Sequence, residues 1–172
     1  METQRLAREQ FRELFPGHGR AFHLELRDAY GVADEDGPFR KWLQRQPDDF
    51  EWHTSWLNFA RDVIGRGTTI QRARVVTEPL TDYIRWEMSI DPQNLEAGED
   101  IRYLPRQAAE DIQFPNEDYW LFDDDALVLS LFMHDGTSAG FALVSDPVLL
   151  KQCRVVRDQV WSRAVPYARY AA

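Results

Sequence analysis

The hydrophobic patterns along this chain predict a mixed α/β fold of the α+β kind. A central mixed sheet of about five or six strands carries an N-terminal helical part and a long C-terminal helix packed on it. Three observations predict this. Trp52, Trp56, Phe59 and Val63 recur at spacings of four, three and four, which puts them on one face of a helix. Residues 127–133 are apolar almost without alternation, as in a strand buried on both faces. Asp146-Pro147 is a capped helix start, and Leu149, Cys153, Val156 and Val160 then mark one buried stripe.

The elements follow in order. Leu6, Phe11, Leu14 and Phe15 give residues 2–15 a helical face, stopped by Pro16-Gly17. Phe22, Leu24 and Leu26 alternate with His23, Glu25 and Arg27, the period of a strand, although a short helix also fits. A helix spans Pro38 to Gln46. The Trp52–Val63 helix is capped by Asp48 or Asp49 and ended by Gly65 and Gly67. Thr68 to Thr77 is a strand, and Pro79 opens a helix with Tyr83, Trp86 and Ile90 on one side. Strands follow at 100–105, 119–122, 126–133 and 141–144, with a turn or two of helix at 106–112 and a hairpin signal at Asp135-Gly136. The last helix ends before Pro166, and an aromatic tail packs back. No repeat or linker interrupts the chain, so residues 1–172 form one domain, with 1–67 mainly helical and 68–172 containing the sheet.

The 172 residues include six Trp and ten Phe, enough large apolar area to exclude disorder. A net charge of −9 and no basic run exclude a surface that tracks phosphates, so no direct nucleic-acid contact is expected. Acidity suits a partner with a basic surface, or simply keeps a small protein dispersed. The single cysteine, Cys153, excludes a disulfide framework and a cysteine-rich metal site. The first residues lack the apolar core of a signal peptide, and no run reaches the roughly 18 apolar residues of a membrane span. A cytoplasmic protein without membrane contact is expected.

No strong catalytic motif is present. His18, His23, His53 and His134 are scattered, so neither a metal nor another cofactor is expected. Asp123 to Asp125 follow a strand and could hold a hard cation, but a solvated turn is the commoner use of such a cluster. Arg72, Arg74, Arg85, Arg102 and Arg106 converge on an anion if their elements are adjacent. Otherwise they pair with Glu78, Glu87, Glu96 and Glu99. The ligand-binding candidates are therefore Arg72, Arg74, Tyr83, Arg85, Glu87, Glu99, Arg102, Trp120 and Asp123, with no residue assigned as catalytic.

With those residues laid out, the segments 74–85, 94–106, 118–124 and 165–170 resemble a family of small actinobacterial proteins without an assigned activity. The resemblance covers nearly the whole chain. It implies a regulatory context, because members are encoded beside helix-turn-helix regulators. A weaker resemblance covers Thr68 to Pro166, whose order of elements is similar to one half of a phospholipase D-like domain. That superfamily carries a His, a Lys two residues on and an Asp five after the Lys. Aligned on Asp123, the first two positions are Asn116 and Asp118 here. Asn is no nucleophile and Asp repels phosphate, so the resemblance implies a degenerate fold without the chemistry.

Three functions are open on this reading. The first is a regulatory interaction module that binds a helix-turn-helix DNA-binding protein, as a monomer or a homodimer, without catalysis of its own. The second is a small-molecule or anion sensor built on Arg74, Tyr83, Arg85 and Arg102. The third is an enzyme with Glu87, Glu99 or Asp123 as acid or base.

Overall fold

The computed structural model describes residues 2–172. Its centre is one eight-stranded mixed sheet rather than five or six strands, in the order β1-β7-β6-β5-β2-β3-β4-β8. The strands are β1 (Glu2–Leu6), β2 (Arg20–Glu25), β3 (Thr69–Val76), β4 (Asp100–Pro105), β5 (Asp118–Phe122), β6 (Ala126–Phe132), β7 (Ser138–Ser145) and β8 (Val165–Pro166). β2, β3 and β4 run parallel, and every other pairing is antiparallel. The helices are α1 (Arg8–Arg12), α2 (Ala33–Leu43), α3 (Thr54–Gly65), α4 (Asp82–Glu96), α5 (Pro147–Arg163) and α6 (Tyr167–Tyr170).

Several expected boundaries move. Residues 2–15 are not one helix: β1 comes first and pairs antiparallel with β7, Glu2 opposite Ser145 and Leu6 opposite Phe141. A partner 135 or more residues away outweighs the local helical pattern, and only α1 and a 3-10 turn at Phe15–Gly17 remain of it. The segment before β3 holds α1, α2 and α3 and also contributes two strands, β1 and β2, to the sheet. α2 begins earlier than expected and contains Pro38. α3 begins at Thr54, after a 3-10 turn at Glu51–His53 whose first N–H bonds the Asp49 carboxylate at 3.1 Å, while Asp48 accepts from Trp52 Nε1 at 2.8 Å. α4 begins at Asp82, where the Thr81 hydroxyl caps the Ile84 N–H.

Strand alternation divides the core between the two faces of the sheet. On one face, Phe22, Leu24, Ala73, Val75, Leu104, Tyr119, Leu121 and Leu127 pack under Cys153, Val156 and Val160 of α5. Burial pushes the Cys153 thiol up to about 12, the behaviour of a packing residue rather than a reactive one. On the other face, Phe11, Phe15, Ala21, Ile70, Trp120 and Phe122 meet Leu57, Ala60 and Val63 of α3. Beside them, Val76, Ile101 and Tyr103 meet Tyr83, Trp86 and Ile90 of α4, with Phe39 and Trp42 of α2 packed outside.

Candidate functional site

The charged centre lies on the α3–α4 face of the parallel strands. The alternation of β3 sends Arg72 and Arg74 to the same face. Register sets Glu25 of β2 opposite Arg74, His23 opposite Arg72, and Tyr103 of β4 opposite Arg74 from the other side. α4 lies across this patch. Its Glu87, Asp91 and Asn94, spaced by four and three, turn one polar stripe onto the sheet while Tyr83, Trp86 and Ile90 anchor the helix in apolar contacts.

Each guanidinium is held by several acids. Arg72 reaches Glu25 Oε1 at 2.5 Å and Glu99 Oε2 at 3.1 Å. Arg74 binds Glu25, lies 2.6 Å from Glu87 Oε2 and 3.1 Å from Asp91 Oδ1. Tyr103 donates to Asp91 Oδ2 at 2.5 Å, Trp56 Nε1 donates to Glu99 Oε1 at 2.5 Å, and His53 bonds Asn94 at 2.7 Å. His23 stacks on Trp120 with ring centroids 4.1 Å apart, and its Nδ1 lies 3.3 Å from Glu25. Glu25, Arg74, Asp91, Asn94 and Glu99 are all buried.

Electrostatics separates these acids. Burial pushes the Glu25 carboxyl up, but Arg74 and Arg72 outweigh it and hold the group at about 2. Burial raises Glu87 well above the carboxylate range; Arg74 only partly opposes this, and Glu25, Glu35 and Asp91 reinforce it. Burial drives His23 down to about 3, so its ring is neutral. Glu25 is thus held toward its charged form and Glu87 pushed toward its neutral form, each a few ångströms from Arg74. Glu87→Gln should then change the stability measured by urea unfolding by less than about 1 kcal/mol, whereas Glu25→Gln should cost about 2–3 kcal/mol.

A second polar knot closes the edge of the centre. Asp118 accepts from the Leu26 N–H at 3.0 Å and from the Tyr30 hydroxyl at 2.5 Å, and Tyr83 donates to Glu35 of α2. Burial lifts Asp118 to about 7, against the bonds from Tyr30 and Leu26. The folded chain therefore prefers the protonated acid. That preference is fully present below the ordinary value of 3.8 and is lost as pH rises through about 7. The stability difference between the native chain and Asp118→Asn should fall by about 1 kcal/mol per pH unit between pH 5 and 7, then level off. Urea titrations at each pH measure it.

The candidates from the sequence divide clearly. Arg72, Arg74, Glu87, Glu99 and Trp120 meet in the centre, and Tyr83 lies at its edge. Arg85 is exposed and pairs with Asp82 on α4. Arg102 lies on the opposite face of the sheet, its guanidinium 4.0 Å over the Trp161 ring. Asp123 sits in the β5–β6 turn, where its carboxylate accepts the Gly19 and Arg20 N–H groups and its φ is 48°. Asp124 beside it binds Arg157 at 2.6 Å. The three arginines and tyrosine of the sensor reading therefore do not share one pocket. Sequence reasoning missed Glu25, Asp91, Asn94, Trp56, Tyr103 and His53. Glu25 stood on the polar side of an alternating strand, which reads as a solvent face and hid it; Asp91 had a signal, a helical turn beyond Glu87.

Among the described residues, no group of three or more His, Cys, Asp or Glu side chains could hold a metal ion. No helix of the described residues is long and apolar enough to cross a membrane. The family model described as "Domain of unknown function (DUF6879)" matches residues 9–172. Among curated proteins nothing matches. Among solved structures, a phospholipase D family member, Nuc from Salmonella typhimurium, overlaps 96% of this chain and 96% of its own at 10% identity, with a TM-score of 0.48. An overlap that loose transfers no chemistry. Asn116 stands in the loop before β5 and Asp118 in the knot with Tyr30.

Proposed function

This chain belongs to the DUF6879 family, and from that premise we propose that it is a regulatory protein-interaction module, working in the cytoplasm beside a helix-turn-helix DNA-binding protein and without catalysis of its own. The observation that carries the reading is the outer face of α5. Val148 is 77% exposed and Val155 50%, seven residues apart and so on one helical stripe. They line a groove of about 360 Å³ that α5 forms with Asp111 and Gln113. Lys151 and Gln152 stand between them. Two valines one heptad apart with polar neighbours match the apolar stripe of a partner helix.

The closed state of the charged centre is consistent with this reading. An anion entering at Arg72 or Arg74 must displace acids that already hold them. The association with a helix-turn-helix protein rests on the actinobacterial gene context that the sequence resemblance implies.

Co-expression with the neighbouring regulator and size-exclusion chromatography test the reading. The native chain should co-elute with it, and Val148→Asp/Val155→Asp should not, with unchanged circular dichroism. Persistence of the complex in the double variant removes α5 as the surface. Failure of the native chain to co-elute removes the module reading itself.

A further inference from the structure

A second groove, of about 800 Å³, opens between the end of α2 and the start of α4. Its chemistry differs from that of the α5 groove. Trp42 and Leu43 supply apolar surface, and Leu43 is 49% exposed. Arg45 and Arg85 supply two cations on its wall and Asp82 one carboxylate. Arg40 and Lys41 stand in the last turn of α2 next to it. On a chain with a net charge of −9, the wall of this groove thus carries two cations against one carboxylate.

The backbone beneath Arg45 closes α2 and fixes where that side chain starts. The Arg45 N–H bonds Trp42 O at 2.9 Å and the Gln46 N–H bonds Lys41 O at 2.8 Å, the paired closure of a helix end in which the residue after the cap turns left-handed. Glycine favours that position, yet Arg45 holds it at φ 55°. A side chain is carried there at a conformational cost, and it lines the groove. The following loop is pinned by Asp48, which accepts from Trp52 Nε1 at 2.8 Å and approaches Lys41 at 3.8 Å. Arg85 is balanced by Asp82, whereas among the described residues no carboxylate lies within 4.0 Å of Arg45.

We propose that this groove binds an acidic peptide segment of a partner protein, its carboxylates on Arg45 and Arg85 and an apolar side chain on Trp42 and Leu43. Charge complementarity selects the occupant: the wall carries Arg45 without a carboxylate partner beside the Arg85–Asp82 pair, so a segment that brings its own carboxylate completes Arg45, whereas a basic segment leaves it unpaired and a purely polar one leaves Leu43 exposed. The site stands apart from α5 and does not depend on the regulator reading.

The test is fluorescence anisotropy of the full chain with a labelled twelve-residue peptide alternating Glu and Leu. A Lys/Leu peptide is the control and unlabelled AMP the competitor. The Glu/Leu peptide should bind, more weakly as salt rises, and Arg45→Glu/Arg85→Glu should weaken it at least tenfold with unchanged circular dichroism. Val148→Asp/Val155→Asp should leave it unchanged. Arg45→Gly separates function from fold: it should raise the melting temperature and still weaken peptide binding. No binding at millimolar peptide overturns the proposal, as does equal binding of the Lys/Leu peptide or indifference to the arginine changes. Displacement by equimolar AMP overturns it too, assigning the groove to a small anion instead.

Discussion

Arg74→Met should destabilise the chain by about 3–5 kcal/mol, a large share of the roughly 5–15 kcal/mol that holds a domain of this size together. Arg74 is 3% exposed and is the only cation within reach of Asp91 among the described residues. The cost arises less from the lost attraction than from what stays behind. Glu25, held ionised largely by this guanidinium, would be a buried charge with Arg72 as its sole remaining cation. Asp91 would keep the Tyr103 hydroxyl and Asn94 but lose its ion pair. Adding Glu25→Gln to Arg74→Met should return some of the loss, because removing both partners costs less than stranding one. Urea unfolding of the four members of this cycle measures the coupling, and strictly additive losses would contradict it.

Phe15→Ala should cost about 3–5 kcal/mol by a different route. Phe15 is fully buried, and its ring meets Phe59 and Phe122 at 5.0 Å and Phe11 and Trp120 at 5.3 Å, each edge-on. These four neighbours come from α1, α3 and β5, so they cannot all collapse into the void. The loss should be independent of pH between 5 and 8, since the ring's neighbours here are all aromatic and carry no charge in that range. Denaturation midpoints across that range check it.

The fold was largely legible because periodicity reports burial. The α3 and α5 stripes and the apolar β6 run each announced their element, and Arg72 and Arg74 announced a shared face by standing two apart. β1 was not legible: Glu-Thr-Gln-Arg-Leu is polar until its last residue, and only its pairing with β7 makes it a strand. The centre was half legible. Glu87 and Glu99 stood out as acids near arginines, whereas Glu25 belongs to a strand 47 residues before Arg72 and is joined to it only by the parallel register. Arg85 and Arg102 were grouped with the other arginines on the condition that their elements are adjacent, but a helix turn and a strand alternation send them elsewhere. Arg45 gave no signal, since a left-handed arginine looks like any loop residue until its dihedrals are seen.

The strand order also bears on how the protein emerges from a ribosome. β2, β3 and β4 are made early and can pair by residue 105, carrying Arg72, Arg74 and Glu25 into contact while α4 is already present to cover them. β5 then joins the exposed edge of β2, with β6 and β7 added outward in turn. β1, made before its partner β7, has to wait for residues 141–145. A strand that precedes β2 in the chain is thus among the last to be placed. Its polar composition suits that interval, because a strand that stays unpaired for most of translation offers neighbouring chains little apolar surface to adhere to.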